Sequence, residues 1–154
     1  MSGDVFELIE DFVILSGYPG LFVISFLAAT LIPLGSEIFV VSMTLSGCNP
    51  WMIFAAATTG NTLGSITNYY VGKRGAEFML SRYIKVDSQK RENVERIYRK
   101  WGSPILLFAW IPVVGDPLTV VAGGLNLNLY VFTFWVILGK AFRYVLVILT
   151  AKSF

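Results

Sequence analysis

The sequence predicts an all-α integral membrane protein made of two inverted repeats. Each repeat is expected to be a re-entrant helical hairpin followed by a transmembrane helix, with a basic amphipathic helix joining the two. Three observations carry this expectation. The first is composition: of 154 residues, 55% are hydrophobic and only 14% charged, with a mean hydropathy of +0.67, whereas soluble domains carry about 25% charged residues. The second is charge placement. Nine of the 12 Lys and Arg lie between Lys73 and Lys100, none precedes Lys73, and only Lys140, Arg143 and Lys152 follow. The third is an internal repeat that relates the two apolar halves at an offset of 79 residues.

At that offset "IPLGSEIFVVSM" (32–43) lies over "IPVVGDPLTVVA" (111–122) without a gap. Pro33 matches Pro112, Glu37 matches Asp116 and Val41 matches Val120. Further on, Trp51 matches Tyr130 and Gly60 matches Gly139. Apolar segments align easily, so the weight rests on the coincidence of proline, acid and glycine. The chain divides as one membrane domain: repeat one over about 12–72, a linker over 73–102, and repeat two over about 103–151.

Taken in order, the N-terminus carries Asp4, Glu7, Glu10 and Asp11 and no base. It lacks the basic n-region of a secretory signal and reads as part of the mature protein. The apolar stretch 12–32 is long enough to span a bilayer, at about 20 residues per helix. It equally suits one arm of a hairpin, and both readings stand. It runs into the break at Pro33, Gly35 and Glu37. Proline removes a backbone donor and clashes with the preceding turn. An unpaired backbone group in hydrocarbon costs several kcal/mol, so irregular backbone belongs where it lines a cavity or is buried in protein. The break therefore reads as a hairpin tip, matched in the second half by Pro112, Gly115, Asp116 and Pro117. Turns are expected at "SGCNPW" (46–51) and "GGLNLNLY" (123–130), with Gly47, Gly123 and Gly124 as the turn residues. Long apolar helices follow, over about 52–72 and 129–150. A hairpin returns to the side it entered and each long helix crosses once, so the second half must be inverted. Inverted repeats with broken helices around a central site mark secondary transporters.

The linker has nine bases against four acids between 73 and 100, a local excess of five positive charges. The positive-inside rule places it in the cytoplasm, on a multi-pass membrane protein. Val94, Ile97, Tyr98 and Trp101 recur at helical spacing on one face. Asp87 or Ser88 can cap the start of this helix and Gly102 its end. Lys90, Arg91, Arg96, Arg99 and Lys100 suit an anionic lipid surface. Trp51, Tyr69, Tyr70, Tyr98, Trp101 and Tyr130 fit an interfacial aromatic belt.

The chain has one cysteine, Cys48, and no histidine. This excludes an intrachain disulfide and a Cys-based metal site, and removes the commonest general base. There is no P-loop, GxGxxG, GxSxG or HExxH. No enzyme activity, cofactor, metal or nucleic-acid partner is expected. The candidate functional residues are the charges inside the apolar halves. Glu37 and Asp116 stand at equivalent positions, and an acid inside a membrane costs about 2.5–3.5 kcal/mol on insertion scales. Desolvation and mutual repulsion would favour protonation of one, which suits proton coupling. The competing reading is that both cap the helices they precede. Lys140 and Arg143 lie one turn apart on the second long helix, and the arginine fork suits phosphate or carboxylate. Here the competing readings are an ion pair of Arg143 with Glu37 or Asp116, and a snorkelling Lys140. Thr58, Asn61 or Thr62, Ser65 and Asn68 form a polar stripe on the first long helix, with Asn61 matching Lys140 in the repeat. The plainer reading is helix–helix adhesion, with Gly60 and Gly64 as a packing motif.

"SFLAATLIPLGSEIFVVSM" (25–43), "TTGNTLGSITNYYVGK" (58–73), "WIPVVGDPLTVVAGG" (110–124) and "LGKAFRY" (138–144) resemble the YqaA-like branch of the DedA superfamily. This superfamily is also called the VTT-domain or SNARE-associated family. The resemblance covers about residues 20–150. It implies an inner-membrane protein with two opposed re-entrant hairpins that transports or scrambles lipids. Better-known members recycle undecaprenyl phosphate, with acids and arginines near the hairpins as functional residues. Glu37 corresponds to the first-hairpin acid. DedA members usually carry an arginine just before the second-hairpin proline and another three residues after it. Here those places hold Ala109 or Trp110, and Gly115, which leaves Arg143 and Lys140 as the intramembrane cations.

The expected function is a transporter or flippase of a lipid-linked or small anion. Arg143, Lys140 and Asn61 would bind the substrate, and Glu37 and Asp116 would exchange protons. Expected partners are membrane lipids, including polyprenyl phosphate, and protons. The small size suggests a homodimer that completes the cavity. Two alternatives stay open: a small ion or solute transporter or channel, and a non-transporting membrane organiser.

Overall fold

The computed structural model describes residues 2–30, 35–82, 102–111 and 115–153. Among them every regular element is helical. The order is α1 (Ser2–Thr30), α2 (Glu37–Leu45), α3 (Pro50–Arg82), a 3₁₀ helix (Ser103–Trp110), α4 (Gly115–Gly124) and α5 (Leu129–Lys152). The tip prolines Pro33 and Pro112 lie outside the described residues. So do the expected amphipathic stretch over 83–101, its caps Asp87 and Ser88, and Trp101.

α1 is two helices joined at a kink. Gly17 sits at φ 58°, ψ −134°, and Pro19 follows inside the helix. Nothing would crowd a side chain at Gly17, so the backbone conformation alone calls for glycine there. Pro19 removes one helical donor and clashes with the preceding turn. α5 has 24 residues and is the one described helix both long and apolar enough to cross a bilayer. At 1.5 Å per residue it extends about 36 Å, against about 30 Å of hydrocarbon. α3, at 33 residues, runs on through Lys73 to Arg82, and its polar stripe makes it less apolar.

The turn after α2 and the turn after α4 are the same structure. The amides of Ser46, Gly47 and Cys48 donate to the carbonyls of Ser42, Thr44 and Met43. Those of Leu125, Asn126 and Leu127 donate to Val121, Gly123 and Ala122, each 79 residues on. This is the Schellman pattern, which needs a left-handed residue after the helix. Gly47 supplies it at φ 79° and Asn126 at φ 55°. In each case an asparagine then caps the next helix. Asn49 Oδ1 accepts from the amide of Trp51 at 2.9 Å, and Asn128 Oδ1 accepts from that of Tyr130 at 2.9 Å.

Two compact units result, the first from Met1–Gly64 with Lys140–Phe154, the second from Ser65–Gly139. Both long helices are therefore shared. In the first unit α1 packs on α2, and Leu21, Phe39, Val40, Ile53 and Tyr144 form the core. A side chain at Gly60 would collide with the Phe22 carbonyl, and one at Gly64 would lie 2.7 Å from the Phe26 carbonyl. These contacts advance together along both helices, so α1 and α3 run parallel there, backbone close to backbone. In the second unit the 3₁₀ helix packs on α4, and Tyr69, Leu106, Ala122, Phe132 and Val136 form the core. Side chains at Gly72 and Gly123 would collide with the carbonyls of Val120 and Tyr69. These contacts run in opposite senses, so α3 and α4 are antiparallel. Gly123 thus belongs to a helix contact rather than to the turn, where Asn126 takes the left-handed position. Tyr69 also departs from the expected belt. It is buried, donates its hydroxyl to the Leu127 carbonyl, and packs against Phe132 with ring centroids 4.9 Å apart and the planes tilted by 45°. Trp51 and Tyr130, at equivalent helix starts, are 80% and 86% exposed.

The polarity is inside out. Ser25, Ser36, Thr58, Asn61, Thr62, Ser65, Asn68, Thr119 and Lys140 are buried. Phe134, Leu138, Phe142, Val145 and Leu149 form an exposed stripe along α5. Such an apolar face is costly in water, where burying one large aliphatic or aromatic side chain gains about 1.5–3 kcal/mol. It is at home in lipid.

Candidate functional site

The first unit gathers charged and polar groups where α2, α3 and α5 meet. α2 begins at Glu37, with Ser36 as its N-cap residue. An acid in the first turn is favoured by the helix dipole. The Glu37 carboxylate Oε1 forms an ion pair with Nη2 of Arg143 on α5. The side chains are 23% and 16% exposed, so the pair is neither sealed in the core nor a surface contact. Its other oxygen, Oε2, lies 2.7 Å from where a side chain on Gly35 would begin. The carboxylate is folded over Gly35, and the missing side chain makes room for it.

Beside the ion pair lies a neutral contact. The Ser36 hydroxyl makes no cap bond to α2. It hydrogen-bonds instead to the Tyr144 hydroxyl at 2.7 Å, and the Asn61 amide of α3 donates to the same hydroxyl at 2.8 Å. Tyr144 is fully buried, and Ser36 and Asn61 nearly so. Residues 36 and 37 of α2 thus face residues 144 and 143 of α5 as two adjacent rungs, one neutral and one charged.

Of the residues singled out from sequence, the structure brings Glu37, Arg143 and Asn61 to one place, with Asn61 joined through Tyr144. Of the readings that competed for Arg143, the ion pair with Glu37 is the one observed. Lys140 lies one turn before Tyr144 on α5, is 1% exposed, and makes contacts of its own. Its near-complete burial removes the snorkelling reading. Asp116 belongs to the second unit. It stands in the first turn of α4 between buried Gly115 and exposed Pro117, and its carbonyl accepts from the Thr119 hydroxyl at 2.6 Å. Proline in a first turn costs no helical hydrogen bond. Gly115 is required by contact, since a side chain there would collide with the Ala109 carbonyl. The polar stripe Thr58, Asn61, Thr62, Ser65 and Asn68 is buried throughout. Among the described residues, no group of His, Cys, Asp and Glu could hold a metal ion.

Tyr144 and Ser36 were missed as site residues. Both stand inside quoted motifs, Tyr144 closing "LGKAFRY" and Ser36 preceding Glu37. Neither carries charge, so nothing in an apolar context flags them.

Chemically, arginine stays charged at any relevant pH and can offer two parallel donors to an oxyanion; here the oxyanion it holds is the Glu37 carboxylate.

The VTT domain family model matches residues 32–152. The inner membrane protein YqaA of Escherichia coli (strain K12) is 40% identical over 128 residues, covering 82% of this chain and 85% of that protein. An uncharacterized protein of Haemophilus influenzae is 31% identical over 142 residues, covering 87% of each. Protein MJ0201 of Methanocaldococcus jannaschii, also uncharacterized, is 24% identical over 144 residues, covering 93% of this chain and 86% of that protein. No solved structure matches the chain.

Proposed function

The chain belongs to the VTT-domain (DedA) family of membrane proteins, and from that premise we propose that it is an inner-membrane transporter or flippase for a lipid-linked or small anion. The observation that carries the proposal is the Arg143–Glu37 ion pair. In the resting state Glu37 holds Arg143. A proton taken up by Glu37 frees the guanidinium for the substrate's phosphate or carboxylate, and loss of that proton expels the substrate. Proton and anion thereby share one cation, which is the simplest route to coupling. Lys140 adds positive charge one turn away, and Asn61 orients the wall of the site. Asp116 plays the second titrating acid, in the other repeat.

The topology in this proposal is multi-pass. α3 and α5 cross in opposite directions, with α1–α2 and the 3₁₀ helix–α4 as opposed re-entrant hairpins. The recurrence of the same Schellman turn and asparagine cap at 79 residues supports the repeat. The basic segment 73–100 faces the cytoplasm, and two copies of the chain assemble. The proposal is of transport, without covalent chemistry.

The test is flux in proteoliposomes. A labelled polyprenyl-phosphate lipid should move in wild type, faster with a pH gradient, while the neutral polyprenol should not. Arg143→Ala should abolish the flux and Glu37→Gln its gradient dependence. Equal flux in wild type and both variants would sink the proposal. A second reading, transport of a small hydrated solute, is favoured by the buried hydroxyls of Ser25, Thr58 and Thr62, which have no hydrogen-bond partner among the described residues. It gains if phosphate lipid stays put while small solutes leak in an Arg143-dependent way.

A further inference from the structure

We propose that Tyr144 and Ser36 are positioning residues that keep α2 docked on α5 after Glu37 has given up its charge, so that uptake of a proton frees Arg143 without releasing the helix. This rests on the reading of Arg143 and Glu37 as the exchange site. Three observations support it. The contacts are adjacent on both helices: Ser36 and Glu37 on α2 face Tyr144 and Arg143 on α5. They differ in kind. The Glu37–Arg143 rung depends on ionisation, whereas the Ser36–Tyr144 rung is neutral and indifferent to it.

They also differ in anchorage. The tyrosine is fully buried and belongs to the same apolar core as Phe39, Val40 and Met43 of α2 and Ile53 of α3. Its hydroxyl is further fixed by the Asn61 amide. A phenol hydroxyl has one proton to give and can accept from two donors. It can therefore take the Asn61 proton and still bond Ser36 in either sense. The charged rung is partly exposed, while the neutral rung is buried. Without the neutral rung, protonation would remove the ionic tie between the first turn of α2 and α5 with no Ser36–Tyr144 bond to replace it. The site would then open whether or not an anion had bound, and protons would leak uncoupled.

The test is amide hydrogen exchange of the full chain in lipid nanodiscs, comparing wild type, Glu37→Gln, Tyr144→Phe and the double variant. Gln imitates the protonated acid, and Phe keeps the ring while removing the hydroxyl. With redundant rungs, each single variant should leave α2 exchange within about twofold of wild type, and the double variant should speed it about twentyfold or more, well beyond the roughly fourfold to which two independent effects would multiply. α4, in the other unit, should exchange as in wild type in all four. Ser36→Ala with Glu37→Gln removes the same contact from its other side and should loosen α2 likewise. Ser36→Thr with Glu37→Gln keeps a hydroxyl and should restore protection. Additive behaviour, an unchanged α2 in both double variants, or equal loosening of α4 would overturn the inference. Each readout is independent of flux. An inert wild type with cooperative loosening of α2 would refute transport alone, and Arg143-dependent flux without that loosening would refute the positioning role alone.

Discussion

At the scale of single residues, the molecule is governed by a few charges in a low-dielectric interior. Glu37 and Arg143 are each costly there and are tolerated together. Removing one partner of a buried pair costs about 3–5 kcal/mol, and exposed pairs contribute about 0–1. With side chains 23% and 16% exposed, this pair lies between. Arg143→Ala should therefore lower stability by about 1–3 kcal/mol, read from thermal unfolding in detergent. Glu37→Gln, which keeps size and polarity, should cost less. Gly35→Ala is a sharper probe, because it removes no charge. The new methyl would meet Glu37 Oε2, which can swing away. Unfolding should move little while flux falls several-fold. A Gly35→Ala protein with wild-type flux would show that the carboxylate's position is immaterial. Glu37, Arg143 and Lys140 were legible in the sequence because charge inside an apolar run stands out. Ser36 and Tyr144 were not. A serine or tyrosine in a membrane segment is unremarkable until its partner 108 positions away is seen.

At the scale of elements, proline, glycine and asparagine place the boundaries. The breaks before α2 and α4 were visible as Pro–Gly–acid clusters, and both turns as Gly/Asn clusters. Two features escaped. The kink at Gly17–Pro19 lies inside a segment whose apolar run looked continuous. Gly123 looked like a turn residue because glycine serves turns and close helix contacts alike, and only the neighbouring helix tells them apart. The matching turns make a prediction. Because Asn126 holds the left-handed position that Gly47 holds in the first half, Gly47→Asn should cost under about 1 kcal/mol. Gly47→Val should cost about 1–2 kcal/mol or more, since a β-branched residue resists positive φ. Asn49→Ala and Asn128→Ala should each cost about 1 kcal/mol, as cap losses do, and by similar amounts. The close approach of α3 and α4 is less forgiving. Gly72→Leu or Gly123→Leu should separate these helices and lose about 1–3 kcal/mol or the fold itself, whereas neither position touches the ion pair.

At the scale of the whole molecule, each long helix begins in one unit and ends in the other. Sequence reading found the two halves but not this exchange, since no local signal marks where a continuous helix changes partners. The inside-out polarity was foreshadowed by composition, yet its layout needed the fold. The stripe Thr58–Asn68 could have faced lipid-buried partners or a cavity, and the structure shows it buried. The exposed apolar stripe of α5 carries a prediction of its own. Phe142→Lys, near the middle of α5, should impair membrane insertion by about 2.5–3.5 kcal/mol, seen as lost membrane-fraction yield, while Thr58→Val on the buried face should not.

The central claim is that Arg143 is a single cation for which Glu37 and the transported anion compete. The most direct measurement is the affinity of purified protein for a short-chain phosphate-monoester lipid, titrated in detergent for wild type, Glu37→Gln and Arg143→Ala. Competition predicts that Glu37→Gln binds the lipid more tightly than wild type, because the internal competitor is gone, and that Arg143→Ala does not bind it. If Glu37→Gln weakens binding as much as Arg143→Ala does, the two residues act as one structural pair and the exchange account is wrong.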